Sequence, residues 1–288
     1  MLGFGVPAFA LHAMPQAEWD DRLQFFRLIP VAAIVGLALS AADIAVVAAN
    51  MAGLPLTALD WDSVSTVITE TAAGTAWLVR VGALLAVIAF AGLTRDRRWL
   101  CPASAVCCAA ALATLAWSGH GAANDGRVGV MHLLADVVHL LAAGLWIGAL
   151  AGLLLMLRRV QPSDCASLDG AHRELAGFAT TGTVIVAVIA ATGLINAWLL
   201  VGPGQFATVA GSLYGQLLLT MLALFTGMLG LAAVNRFWLT PALAADAFNG
   251  KSALRGLRSS LIREVALAIG ILGLVAWLGT LEPPMAAI

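Results

Sequence analysis

Four residues within a nine-residue stretch carry side chains suited to holding a metal ion: Met131, His132, Asp136 and His139. His132, Asp136 and His139 are spaced by four and then three, so on a helix they share one face. A third imidazole, His120, stands just before them in Ser118-Gly119-His120-Gly121. Neutral imidazole and thioether are ligands for copper, thioether favours the cuprous ion, and a carboxylate supplies compensating charge. The chemistry these residues suit is binding of a metal cation, and a copper ion, Cu+ or Cu2+, is one that such a set accepts. Asp43, Glu70, Arg80 and Asn196 are further polar groups set within long apolar runs. Such groups are costly against lipid and are expected to face a bundle interior or a water-filled cavity.

The elements that must position them are membrane spans. Of 288 residues 61% are hydrophobic and 11% charged, whereas soluble domains are about 25% charged; no soluble core absorbs so much apolar surface. The net charge of −1 gives no pointer to nucleic acid. Seven runs are long enough to cross a bilayer, which takes about 20 residues: 23–50, 64–93, 99–118, 129–156, 173–201, 213–236 and 260–281. The loops between them are short, so residues 1–288 are expected to form a single transmembrane domain with no soluble part. The fold class is all-α, a polytopic transmembrane helix bundle. Cys101, Cys107, Cys108 and Cys165 have neither zinc-site spacing nor the density of a disulfide framework.

Residues 2–14 are apolar but as a helix span only about 20 Å of a hydrocarbon core near 30 Å. They lack a basic leader and a clear cleavage site, and are expected to be a truncated first span, making eight helices in full. Arg22 and Arg27, Arg95, Arg97 and Arg98, then Arg158, Arg159 and Arg173, and finally Arg236 through Arg263 fill every second connection. The positive-inside rule places these in the cytoplasm, and the C-terminal tail outside, in the periplasm. Counted inward at 1.5 Å per residue, Asp43, Glu70, Asp136 and Asn196 fall at a common depth of roughly 7–11 Å. His139 lies deeper, with His120, Met131 and His132 above as an entrance. Arg80 is a buried cation whose partner is not legible; Glu70, ten residues earlier, does not reach it along one helix.

Each group also has a plainer role open to it. An intramembrane His, Asp or Asn can simply hydrogen-bond one helix to another. Met221 and Met228 fit ordinary helix packing, and Trp61, Trp99, Trp117 and Trp277 fit an aromatic belt.

The run Ala135-Asp136-Val137-Val138-His139-Leu140-Leu141-Ala142-Ala143-Gly144-Leu145-Trp146-Ile147-Gly148, preceded by Gly119-His120-Gly121, resembles the copper resistance protein D (CopD) family. So do Thr192-Gly193-Leu194-Ile195-Asn196-Ala197, Tyr214-Gly215-Gln216-Leu217-Leu218-Leu219, Asn235-Arg236 and the closing Leu278-Gly279-Thr280-Leu281-Glu282-Pro283-Pro284. The resemblance implies a multi-pass inner-membrane protein, typically of eight spans, importing copper from the periplasm in copper homeostasis or resistance. It also implies a periplasmic CopC-like copper-binding partner. It implicates His120, Asp136 and His139; His132 and Met131 come from spacing alone. The chain departs from the family at its first helix and at Met221, where members often carry Lys.

No phosphate-binding loop, phosphorylated-Asp motif or Cys-x-x-Cys metal domain is present, so no enzyme and no ATP-driven pump is expected. Two alternatives stand beside a permease. A haem-binding membrane electron carrier needs axial ligands on facing helices, and here His132 and His139 share one. A non-transporting copper sensing or assembly subunit would bind the ion without moving it.

Overall fold

The computed structural model describes residues 1–13, 23–93, 97–118, 126–202, 209, 211–244 and 247–281. Among them there is no strand. In chain order come α1 (Leu2–Ala13), α2 (Leu23–Ala52), a 3₁₀ turn (Leu56–Ala58), α3 (Trp61–Glu70), α4 (Ala72–Leu93) and α5 (Arg97–Ala113), which tightens into a 3₁₀ turn over Thr114–Ser118. Then follow α6 (Gly126–Arg159), α7 (Cys165–Val201), α8 (Leu213–Val234) and α9 (Ala247–Leu278). α8 runs on through a π-helical turn, Asn235–Leu239, and a last turn, Thr240–Ala242. Seven described helices are long and apolar enough to cross a membrane, and Leu2–His12 is a shorter apolar helix. The protein is a polytopic helical membrane bundle, as the hydropathy pattern dictates. In hydrocarbon every backbone N–H and C=O must be satisfied internally, which a helix does within itself. Pro7, Pro30 and Pro102 nevertheless sit inside helices without ending them.

The expected helix 64–93 is interrupted. Thr71 is extended (φ −118°, ψ 153°) and separates α3 from α4. Its hydroxyl donates to the Val67 carbonyl at 2.7 Å and accepts from the Gly74 N–H at 2.9 Å, so one side chain closes α3 and caps α4. Only glycine fits at position 74, since a Cβ there would lie 2.2 Å from the Val67 carbonyl oxygen. Asp60 caps the other end of α3, accepting from the Ser63 N–H at 2.9 Å. Hydrogen bonds from the Ser63 side chain and backbone hold its carboxyl below the ordinary value. Glu70 is thus the exposed last residue of a short helix, not a group along a continuous span as the depth count assumed.

The chain forms two compact units, Met1–Gly148 and Ala149–Ile288, with the boundary inside α6. In the first unit α1 packs on α2 and α5, α4 packs against α2 and α5, and α3 rests on α2 and α4. Ile44, Ala48 and Val67 form a small core there, with Val64, Ile68 and Trp77 against it. The tightest approach is between α1 and α6: a Cβ on Gly5 would lie 2.0 Å from the Gly144 carbonyl oxygen, and one on Gly148 would lie 2.0 Å from the Gly5 carbonyl carbon. Small residues four apart let two helix backbones touch, and Gly144 and Gly148 are such a pair. In the second unit α8 and α9 pack along each other and α7 meets the π turn and the turn after it. The carbonyls ending α6 are capped from a distance: the Arg258 guanidinium donates to those of Leu157 (3.0 and 2.6 Å) and Val160 (3.0 Å).

Neither partner backbone can yield to a methyl group at position 148. Gly148→Ala should lower stability by about 3 kcal/mol, the upper range for overpacking. Gly82→Ala, where a Cβ meets nothing within 4 Å, should leave the unfolding midpoint in lipid nanodiscs unchanged; equal midpoints for the two variants would contradict the backbone contact.

Candidate functional site

His132, Asp136 and His139 lie on α6, a helix of 34 residues whose first turns carry them. His132 is 1% exposed, and Asp136 and His139 are half-buried on the same side, as their spacing requires. The adjacent Met131 is 65% exposed. One residue on a helix is a rotation of about 100°, so the Met131 thioether and the His132 imidazole open to different surroundings. His120 lies outside the described residues. Among the described residues no three His, Cys, Asp or Glu side chains come together in a way that could hold a metal ion. What α6 presents is a line of two imidazoles and a carboxylate along one side of a helix.

Asp43 and Arg80 meet. Arg80, on α4 and 3% exposed, donates from Nη1 to Asp43 Oδ2 on α2 at 2.7 Å. Its Nε donates to the Thr114 hydroxyl at 3.1 Å and its Nη2 to the Thr114 carbonyl at 3.2 Å. That carbonyl is available because the chain has tightened there into the 3₁₀ turn after α5. The partner of the buried cation is therefore a carboxylate 37 residues away on another helix, which no local spacing reveals. Asp43 is 36% exposed and, with Ser40, Arg80, Leu84, Cys108 and Leu112, borders a cavity of about 370 Å³ among α1, α2, α4 and α5. Asn196 is half-buried on α7 and Glu70 is exposed at the end of α3; the four polar groups assigned a common depth do not form one cluster within either unit.

The other thiols and imidazoles are more ordinary. Cys101 and Cys108 are buried in α5, Cys107 is half-buried, and Cys165 is exposed at the start of α7. His172 places Nδ1 2.9 Å from the Thr240 carbonyl, to which it donates. Trp61, Trp99 and Trp277 are exposed, as an aromatic belt requires.

One polar group escaped the sequence reading. Glu264 on α9 is 1% exposed and accepts from the Asn235 amide at 2.5 Å. The signal was present, since a carboxylate inside an apolar span is costly and needs a partner. Glu264 falls inside the expected span 260–281, but beside Arg263 at the basic end of that span.

Comparison with known proteins adds the family. The family described as copper resistance protein D-like, N-terminal domain, matches residues 1–130, and the copper resistance protein D family matches residues 172–278. The chain is 40% identical over its whole length to "Copper resistance protein D" of Pseudomonas syringae pv. tomato, covering 94% of that protein. This chain belongs to the copper resistance protein D family. It is also 27% identical to "Copper transport protein CutJ" of Bacillus subtilis over 75% of this chain and 38% of that protein. To "Inner membrane protein YebZ" of Escherichia coli it is 30% identical over 59% of this chain and 55% of the other. No solved structure matches. The resemblance seen in the motifs is thus correct at family level. The His132, Asp136 and His139 face falls between the two matched segments, within the reach of the full-length relative.

Removing one partner of a buried ion pair costs about 3 kcal/mol or more. Asp43→Ala should approach that loss in chemical unfolding, and the double variant Asp43→Leu with Arg80→Met should recover most of it. Recovery of stability together with wild-type copper accumulation would mark Asp43 as the counter-charge of Arg80 alone; a double variant as unstable as Asp43→Ala would refute the pairing.

Proposed function

We propose that this member of the copper resistance protein D family is a copper permease of the bacterial inner membrane. It accepts copper at the periplasmic side through His120, Met131 and His132 and passes it inward by way of Asp136 and His139. The observation that carries this reading is the α6 face: a buried imidazole, a carboxylate and a second imidazole in steps of four and three. Neutral imidazole binds copper without adding charge, and one carboxylate offsets part of the ion's charge in a low-dielectric interior. Ligands arranged in line, none completing a closed cage, bind weakly enough to release, as conduction needs. The basic connections give the orientation: Arg158, Arg159 and the stretch from Arg236 to Arg263 cytoplasmic, the C-terminal end periplasmic. Import is the direction the family resemblance implies, with a periplasmic CopC-like protein as donor. The printed names of the relatives, copper resistance and copper transport, agree with copper as cargo.

In cells lacking the native protein, the wild type should raise copper accumulation. His139→Ala should reduce both accumulation and copper bound per purified molecule by about tenfold or more, with unchanged membrane insertion. Accumulation and binding equal to wild type would remove His139 from the path. Uptake into proteoliposomes separates a permease from a subunit that binds without transport, and a Soret band in the purified protein would favour haem instead.

A further inference from the structure

A second polar site lies within the other compact unit, built by residues outside the copper path. Glu264 is the central residue of the span Gly250–Leu278 and is 1% exposed; Asn235, at the start of the π turn of α8, is 9% exposed. The Asn235 Nδ2 donates to Glu264 Oε1, while Asn235 Oδ1 is buried with no hydrogen-bond partner. One turn before Glu264, on the same face of α9, Ser260 is buried and its hydroxyl is also without a partner. Idle buried polar atoms are rare and call for an explanation. Here two of them belong to the residue bonded to Glu264 and to the residue one turn below it. The π turn that begins at Asn235, with the Thr240 N–H bonded five residues back to the Asn235 carbonyl, is a departure from α-helix often found at functional sites.

We propose that Glu264, Asn235 and Ser260 form an intramembrane proton-binding site. The two protonation states use the amide differently. As a carboxylate, Glu264 accepts from Asn235 Nδ2. When a proton from solvent joins Oε1, that oxygen becomes a donor and the amide turns over to present Oδ1, which is idle in the other state. Ser260, able to donate and accept, relays the proton along α9. The charge environment fits a site neutralised by a single proton. The charged and titratable groups on the packed elements are turned elsewhere: Arg236 donates to the Ala179 carbonyl and the Thr183 hydroxyl, and Arg258 to the end of α6. Lys251, Arg255 and Arg263 are exposed on α9. On α7, His172 donates to the Thr240 carbonyl, Asp169 and Arg173 are exposed, and Glu174 is half-buried. Tyr214 stands at the opposite end of α8. A proton needs one oxygen, whereas a sodium or calcium ion needs six or so, of which side chains here supply few.

Difference infrared spectroscopy of the full-length protein in lipid nanodiscs, stepped from about pH 5 to about pH 9, reads the carboxylic-acid carbonyl band directly. The wild type should lose such a band with rising pH, and Glu264→Gln should lack it. Asn235→Leu should move the midpoint by about tenfold in proton concentration, which also decides the matter should Glu264→Gln fail to fold. A wild-type protein with no titrating band, a band that persists in Glu264→Gln, or an unmoved midpoint in Asn235→Leu would overturn the proposal, as would radiosodium binding that depends on Glu264 without a titrating band. No copper is used, so failure of the permease reading leaves this test intact.

Discussion

The backbone of α1 lies directly on the backbone of α6, and the geometry of the first unit follows from that contact. With the Gly5 backbone against those of Gly144 and Gly148, and Phe4 and Leu112 packed on Gly144, the contact leaves little room to adjust, so the rotation of α6 about its own axis is restricted. That rotation decides which side of α6 is covered. Because a helix turns about 100° per residue, fixing positions 144 and 148 also fixes the direction of His132, Asp136 and His139 one to four turns earlier. His132 is buried and Met131 exposed for this reason. In lipid no hydrophobic force pulls helices together, so such close packing carries the association that apolar burial carries in water. The glycines that look like punctuation in the Ala135–Gly148 run are the surface on which a neighbouring helix seats.

The second constraint is that polar groups inside the bundle must answer one another. Arg80 reaches the Asp43 carboxylate and both the hydroxyl and carbonyl of Thr114, which joins α2, α4 and the turn after α5 at a single guanidinium. Arg258 does comparable work in the second unit by covering the open carbonyls at the end of α6, groups that a helix terminus cannot satisfy by itself. Arginine suits both places because its planar donors serve several oxygens at once. These two side chains are structural joints, and neither is disposed to attract a cation.

The helices were legible in the sequence because hydropathy over about 20 residues is a collective signal that survives local exceptions. The break at Thr71 was not, since it depends on one hydroxyl bonding backward to Val67 and forward to Gly74, and the apolar run continues across it. The face of α6 was legible because three and four residue spacings are intrinsic to a helix. Partners across helices were not: Asp43 and Arg80 are separated by 37 residues and Asn235 and Glu264 by 29, and nothing in one segment announces the other. Counting depth along straight helices failed for Glu70 for the same local reason that split the helix.

The two polar lines differ in chemistry in a way that bears on what each can carry. The α6 line offers two imidazole nitrogens and one carboxylate, a borderline-soft set with affinity for copper. The site shared by α8 and α9 offers a carboxyl, an amide and a hydroxyl, oxygen chemistry that suits a proton better than copper. Moving a metal cation into a low-dielectric interior creates charge that must be offset, and fixed carboxylates do so only in part. A group that can shed or take up a proton supplies the remaining adjustment without moving any helix. On this argument the proposed copper path and the proposed proton site are complementary. Under the proposed copper path the imidazole nitrogens of the first unit would serve the metal, and charge balance would give the buried carboxyl of the second a reason to exist.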